Sequence, residues 1–237
     1  MSLGISSKAI GISFILFIAT HLTGCVSLDA NPDPFEPINR QVFAFNKLAD
    51  KIVLKPAAMA YHGMVPKFAR QGLDNFFNNA TDTSVIANDL LQLQFPKLAR
   101  DTGRLLVNTT IGLGGFIDIA SGWGWQRVPT TFGDTLTRYG WKRSPYLVLP
   151  IWGPSTVRDA IGSFVDFYAT PWGYIEPEKV RIGLATWYTV NARANLLDME
   201  GLIEVATFDE YVLLRDVYFQ RREARLTGEA TAEDFAI

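Results

Sequence analysis

The sequence predicts an all-α fold, and three observations carry that prediction. Apolar residues recur at helical spacing through most of the chain. Proline and glycine stand where such helices would start and stop. Only one short piece, Tyr146-Leu147-Val148-Leu149 between Pro145 and Pro150, reads as extended.

The helices follow in order. Residues 36–50 carry Ile38, Val42, Phe45 and Ala49 at helical spacing. Residues 66–79 open on Pro66, whose fixed φ suits a first turn. Residues 83–107 form a helical stretch that Pro96 must break or kink, because proline lacks the N–H and clashes with the preceding turn. Gly153-Pro154 opens another helix through about Tyr168, closed by Thr170-Pro171. Residues 177–198 and 209–225 make two more, the last with Tyr211, Leu214 and Tyr218 on one stripe and many charges opposite.

The two ends read differently. Lys8 supplies a short positive region, and residues 10–20 form an apolar run too short for a comfortable membrane span. The run leads to Leu22-Thr23-Gly24-Cys25, a lipobox whose cysteine thiol takes diacylglycerol. Residues 1–24 are therefore expected to be a lipoprotein signal peptide, and 25–34 a lipidated tether. Cys25 is the only cysteine, so no disulfide can form within the monomer. Several acyl chains hold a protein far more firmly than one, at about 0.8 kcal/mol per buried CH₂. Val26 stands where an aspartate would favour inner-membrane retention, which points to the outer membrane, on its periplasmic side. Residues 227–237 read as a frayed, disordered acidic tail.

The body between, 35–226, is long enough for one substantial domain or at most two small ones, and is taken as one helical domain. The formal charge of the chain is −2 with no basic face, which argues against a nucleic-acid partner. Charged residues make up 19% where about 25% is usual, and the mean hydropathy is +0.10. Residues 105–126 hold one charge, Asp118; residues 144–175 hold three, Arg158, Asp159 and Asp166. Both stretches are broken by glycine or proline, so neither is a conventional spanning helix. All six tryptophans lie between Trp123 and Trp187, and tryptophan favours the membrane–water interface. A greasy core or a body partly embedded in lipid would both fit; the acyl anchor favours the second.

Enzyme chemistry has little to stand on. His21 leaves with the signal peptide, so His62 alone could serve as a histidine base or ligand. It reads as a surface or packing residue at a loop or helix end. There is no G-x-S-x-G elbow and no H-E-x-x-H pair. Gly112-Leu113-Gly114-Gly115 lacks the lysine and spacing of phosphate loops and reads as a flexible turn or a close packing contact. Arg158-Asp159 reads as a structural pair. No catalytic residue, metal site or cofactor is expected.

Past the tether the chain resembles the MlaA/VacJ family of phospholipid-transport lipoproteins. The resemblance starts at Asp33-Pro34-Phe35-Glu36-Pro37-Ile38-Asn39-Arg40 with Phe43 and Asn46. It continues through Asn75-Phe76-Phe77, Asn108-Thr109-Thr110-Ile111-Gly112, Gly115-Phe116-Ile117-Asp118 and Phe132-Gly133-Asp134-Thr135-Leu136. Pro145-Tyr146-Leu147-Val148-Leu149-Pro150, Arg193-Ala194-Asn195-Leu196-Leu197-Asp198 and Tyr218-Phe219-Gln220-Arg221 complete it, over about 33–222.

That resemblance implies a helical ring in the inner leaflet of the outer membrane, with an amphipathic channel. It implies a phospholipid substrate, removed from the outer leaflet and passed to a soluble periplasmic carrier, and association with a trimeric porin. The competing reading is a structural or adaptor lipoprotein that binds porins and moves no lipid. Two departures stand out: Asp134 replaces a glutamine common in the family, and Gly140-Trp141-Lys142-Arg143-Ser144 replaces a glycine-rich turn. The resemblance also implies a short hairpin near 132–150, and a gate in that hairpin is less expected here than in relatives. Low charge combined with chain breaks makes Gly112, Gly114, Gly115, Asp118, Tyr146, Leu147, Leu149 and Trp152 the candidates for channel lining or gating. Lys142, Arg143 and Arg158 are the headgroup candidates, with a solvated turn as the plainer reading of the first two.

Overall fold

The computed structural model describes residues 32–197 and 209–228. The signal peptide, the Cys25 anchor, most of the tether and most of the acidic tail lie outside those residues.

The described chain is helical apart from one small sheet. Helix α1, Glu36–Ala49, has Pro37 in its first turn. It passes through a wide turn, Asp50–Leu54, into α2, Lys55–Met64. Helix α3, Lys67–Leu91, merges two stretches that read separately in the sequence. Pro96 does break the chain, but as the opener of the next helix: α3 ends, Leu93 turns with φ 56°, and α4 runs Phe95–Thr110. A single turn, α5, spans Ile119–Gly122, and α6 spans Phe132–Arg138.

Strands β1, Tyr146–Leu149, and β2, Gly153–Thr156, pair antiparallel with Val148 opposite Pro154. The hairpin therefore occupies 146–156, later than the 132–150 expected, and residues 132–138 are helix. Thr131 and Asp134 explain the shift, because they form a reciprocal capping box that starts α6. Gly153-Pro154 was expected to open a helix and instead lies in β2. Proline has no ladder N–H to lose at that edge. Thr156 caps the helix that follows, α7, Val157–Tyr168, by accepting from the Asp159 N–H at 3.1 Å. Helices α8, Glu178–Leu196, and α9, Glu210–Thr227, complete the described fold.

The hairpin is held from below and from the side. Tyr146, Val148 and Tyr211 form its buried apolar centre, with Val42, Phe43, Val212, Tyr218 and Phe219 packed around them. Tyr211 and Tyr218 of the predicted α9 stripe thus face the hairpin, while Leu214 stays exposed. Helix α1 closes the open edge of β1 with two asparagines. The Asn39 amide donates to the Tyr146 carbonyl at 3.1 Å and accepts from the Val148 N–H at 2.9 Å. Asn46, two turns on, donates to the Leu149 carbonyl at 2.9 Å and accepts from the Ile151 N–H at 2.7 Å. The spacing of seven puts both amides on one helical face, where they act as a substitute strand for the unpaired edge.

Candidate functional site

The distribution of polarity is the reverse of a water-soluble domain. Among the described residues, twenty polar or charged residues are buried but only eight apolar ones. Large apolar side chains face outward instead, including Trp152 at 82% exposure, Met64 at 76% and Leu113 at 72%. Soluble monomers rarely expose apolar surface so widely, and exposure on this scale marks a partner or a membrane. Helix α4 shows the inversion most simply. Asp101, Arg104 and Asn108 form one stripe and are buried, whereas Phe95, Leu106 and Ile111 point out. No helix among the described residues is long and apolar enough to cross a membrane.

The buried polar groups are organised by helices α3 and α4. Asp82 of α3 accepts from the Arg127 guanidinium at 2.7 Å. Asp101 pairs with Arg100 through both oxygens, at 2.7 and 2.9 Å. The fully buried Arg104 donates to Asp118 at 3.1 Å and to the Ser121 hydroxyl at 3.1 Å. None of this network was read from the sequence. The available signal was the α4 stripe at spacing i, i+3, i+7, which gives a polar face without saying which side it meets.

The 112–118 turn proves tightly fastened. Leu113, Gly114 and Gly115 all take positive φ. A side chain on Gly115 would meet Asn79 at 2.5 Å, and one on Gly112 would meet the Ile117 carbonyl at 2.2 Å. Close packing is therefore the fitting reading for those two glycines, while Gly114 has open space around it. Asp118 is the cap of α5 and accepts from Asn108 at 3.0 Å and from the Ser121 hydroxyl at 2.6 Å. Leu113 projects outward from the same turn.

The 145–152 segment divides. Tyr146 is in the core, so it is not placed to line an open path; Leu147 and Leu149 are half-buried, and Trp152 projects fully at the hairpin tip beside Ile151. Among the headgroup candidates, Lys142 and Arg143 are exposed. Arg158 is not: it is fully buried, bonds Asp159 at 2.9 Å, and donates to the Trp141 and Lys142 carbonyls at 2.7 and 3.3 Å. Its observed role is to fasten the loop that carries Lys142, with Asp159 held in turn by Arg222 and the Tyr218 hydroxyl. Asp134, the departure noted above, is buried in the capping box and paired with Arg225 at 3.3 Å. His62 sits half-buried in the last turn of α2.

Burial raises one carboxyl well above the usual carboxylate range. Both oxygens of Asp89 on α3 are buried with no donor in bonding geometry. Its neighbours are Asp101, Thr130 and Lys97. Burial first, then the facing Asp101 carboxyl, pushes the Asp89 carboxyl up to about 7. A carboxyl raised in the folded state contributes stability below its unfolded value, and loses that contribution as pH rises through about 7. Asp89→Asn is therefore expected to gain on the native protein as pH rises. Between pH 5 and pH 8 the difference should widen by roughly 1–2 kcal/mol, read by denaturant unfolding in uncharged micelles. A difference independent of pH would contradict the raised Asp89 carboxyl.

The fold and this inversion can be set against known proteins. The MlaA lipoprotein family matches over residues 31–225, which is nearly the whole described body. The chain belongs to the MlaA lipoprotein family. It is 35% identical over 237 residues to the Escherichia coli K12 intermembrane phospholipid transport system lipoprotein MlaA, covering 96% of this chain and 90% of that one. The Haemophilus influenzae lipoprotein of the same name is 32% identical, covering 92% and 91%. An uncharacterized Rickettsia typhi protein, RT0044, is 35% identical over 193 residues, 81% of this chain and 77% of that one. Among solved structures, one described as the structural basis for maintenance of bacterial outer membrane lipid asymmetry superposes with a TM-score of 0.72. It is 33% identical and covers 82% of this chain and 98% of that one. The α1 asparagines, the hairpin and the buried stripe of α4 all lie inside the matched span.

Proposed function

We infer that this family member moves phospholipids between membranes as a lipid-anchored conduit, drawing them from the outer leaflet of the outer membrane and so maintaining its lipid asymmetry. The observation that carries the reading is the inverted polarity: apolar side chains outward, charged and amide side chains inward. A two-tailed lipid exposed to water shows roughly 30 CH₂ groups, a cost on the order of 20 kcal/mol. Its headgroup is as poorly suited to hydrocarbon, because it would be stripped of water without new partners. A body that meets lipid tails on its outside and holds polar groups within answers both demands.

The relatives named for intermembrane phospholipid transport support the substrate class. The finer assignments rest on the resemblance and the lipobox. They are anchoring through Cys25 in the outer membrane with the body on the periplasmic side, an amphipathic channel, transfer to a soluble periplasmic carrier and association with a trimeric porin. Leu147, Leu149, Trp152 and the Leu113 turn remain the residues proposed to meet the lipid, and Lys142 and Arg143 its phosphate. The reading requires no covalent step, so no catalytic residue is assigned.

The test is lipid retention. The chain is purified from membranes in an uncharged detergent, exchanged exhaustively, and its bound lipid extracted and quantified by phosphorus content. Phospholipid in amounts comparable to the protein is the expected result. Lipid-free protein that still copurifies with porin would overturn the conduit in favour of an adaptor.

A further inference from the structure

A cavity of about 370 Å³ lies away from the hairpin, between the start of α4, the segment before α6, the end of α6 and the end of α9. Lys97, Arg138 and Arg225 line it, and Asp134 is its one acidic lining residue. Asp134 is already engaged: it accepts from the Thr131 N–H at 3.1 Å and hydroxyl at 2.9 Å, and from Arg225 at 3.3 Å. Lys97 and Arg138 take part in no ion pair among the described residues. The lining is thus net positive: Arg138 pairs with no carboxylate among the described residues, and Lys97 has near it only the carboxyl of Asp89, which is not a lining residue.

The remaining lining fits an oxyanion. Gln94 offers an amide N–H beyond the one it donates to Gln92 at 2.6 Å, whereas the Thr227 hydroxyl already donates to the Glu223 carbonyl at 3.1 Å. The Asp89 carboxyl neighbours Thr130 and Lys97 without lining the cavity, and its burial lessens its pull on the lysine. The cavity has room for on the order of ten waters, more than a bare phosphate fills. Val128, Pro129 and Leu226 supply an apolar wall for a carbon substituent.

We propose that this cavity binds a phosphate ester, through Lys97 and Arg138 acting with Arg225. The ligand chemistry is shared by a phospholipid headgroup and by soluble phosphate compounds, and charge-assisted bonds to phosphate are the strong kind. The site stands independently of lipid passage, because its evidence is the charge and shape of one cavity.

The full chain in uncharged micelles is titrated calorimetrically with sn-glycero-3-phosphoethanolamine and, separately, with inorganic phosphate. Saturable binding of at least one probe is expected. Lys97→Gln with Arg138→Gln should weaken it by about tenfold or more, since two charge-assisted contacts are lost. Lys179→Gln, an exposed cation on α8, should leave it unchanged. Both altered side chains lie at the surface or half-buried, and an unchanged melting curve shows that folding is intact. Tighter binding of the glycerol ester supports the ester site; tighter binding of inorganic phosphate assigns the cavity to a bare anion and overturns the ester. No saturation with either probe, or equal affinity in the double variant, overturns the proposal. The readout uses soluble probes, so it fails or succeeds separately from the conduit reading.

Discussion

Asn39→Ala is expected to lower the stability of the protein by about 2–4 kcal/mol and to loosen the hairpin first. Asn39 is fully buried and its amide makes three bonds: to Asp33 at 2.8 Å, to the Tyr146 carbonyl and from the Val148 N–H. Truncation leaves a carbonyl and an N–H of β1 without partners in a site closed to water. Each such group costs about 1–3 kcal/mol. The two-stranded sheet has no third strand to take over. Amide hydrogen exchange should show lost protection at 146–149 before the helices change. Asn46→Ala, at a partly buried position, should cost less. Equal protection in wild type and Asn39→Ala would mean that β1 does not depend on α1.

Arg158→Ala is expected to be the most damaging single change, at about 3–5 kcal/mol. Its guanidinium holds Asp159 and two backbone carbonyls of the 141–142 segment with no access to solvent. Removing it leaves those carbonyls unpaired and opens a large void between α6, α7 and the hairpin base. Arg158→Lys should rescue little, because a single ammonium cannot replace a planar fork aimed at three oxygens. Folded yield and unfolding midpoint in micelles check both variants. A lysine variant as stable as wild type would show that charge alone suffices.

The legible parts of the fold were those with local causes. Pro66 stands at the start of α3 and Pro96 breaks the chain after it, as proline's fixed φ and missing N–H require, and the helical spacing of α1 and α9 was legible. Gly153-Pro154 misled because the same pair suits a helix start and an edge strand. Only the long-range bonds of β1 with Asn39 and Asn46 decide between them. The signs of lipid contact were legible as low charge and clustered tryptophan. The buried Asp89, Asp101 and Arg104 were not. Periodicity fixes the axis of a helical face, but an inward polar stripe and an outward one have the same period. The greasy exterior and polar interior appear only once the helices are packed.

Outer-leaflet phospholipid in cells that lack this gene, measured through its accessibility to externally added phospholipase, reports the proposed transport itself. The strain is complemented with the native chain or with Cys25→Ala. A rise in outer-leaflet phospholipid that only the lipidated chain reverses is the expected result. An unchanged outer leaflet in the deletion strain would contradict it and leave the inverted fold as a scaffold for partners.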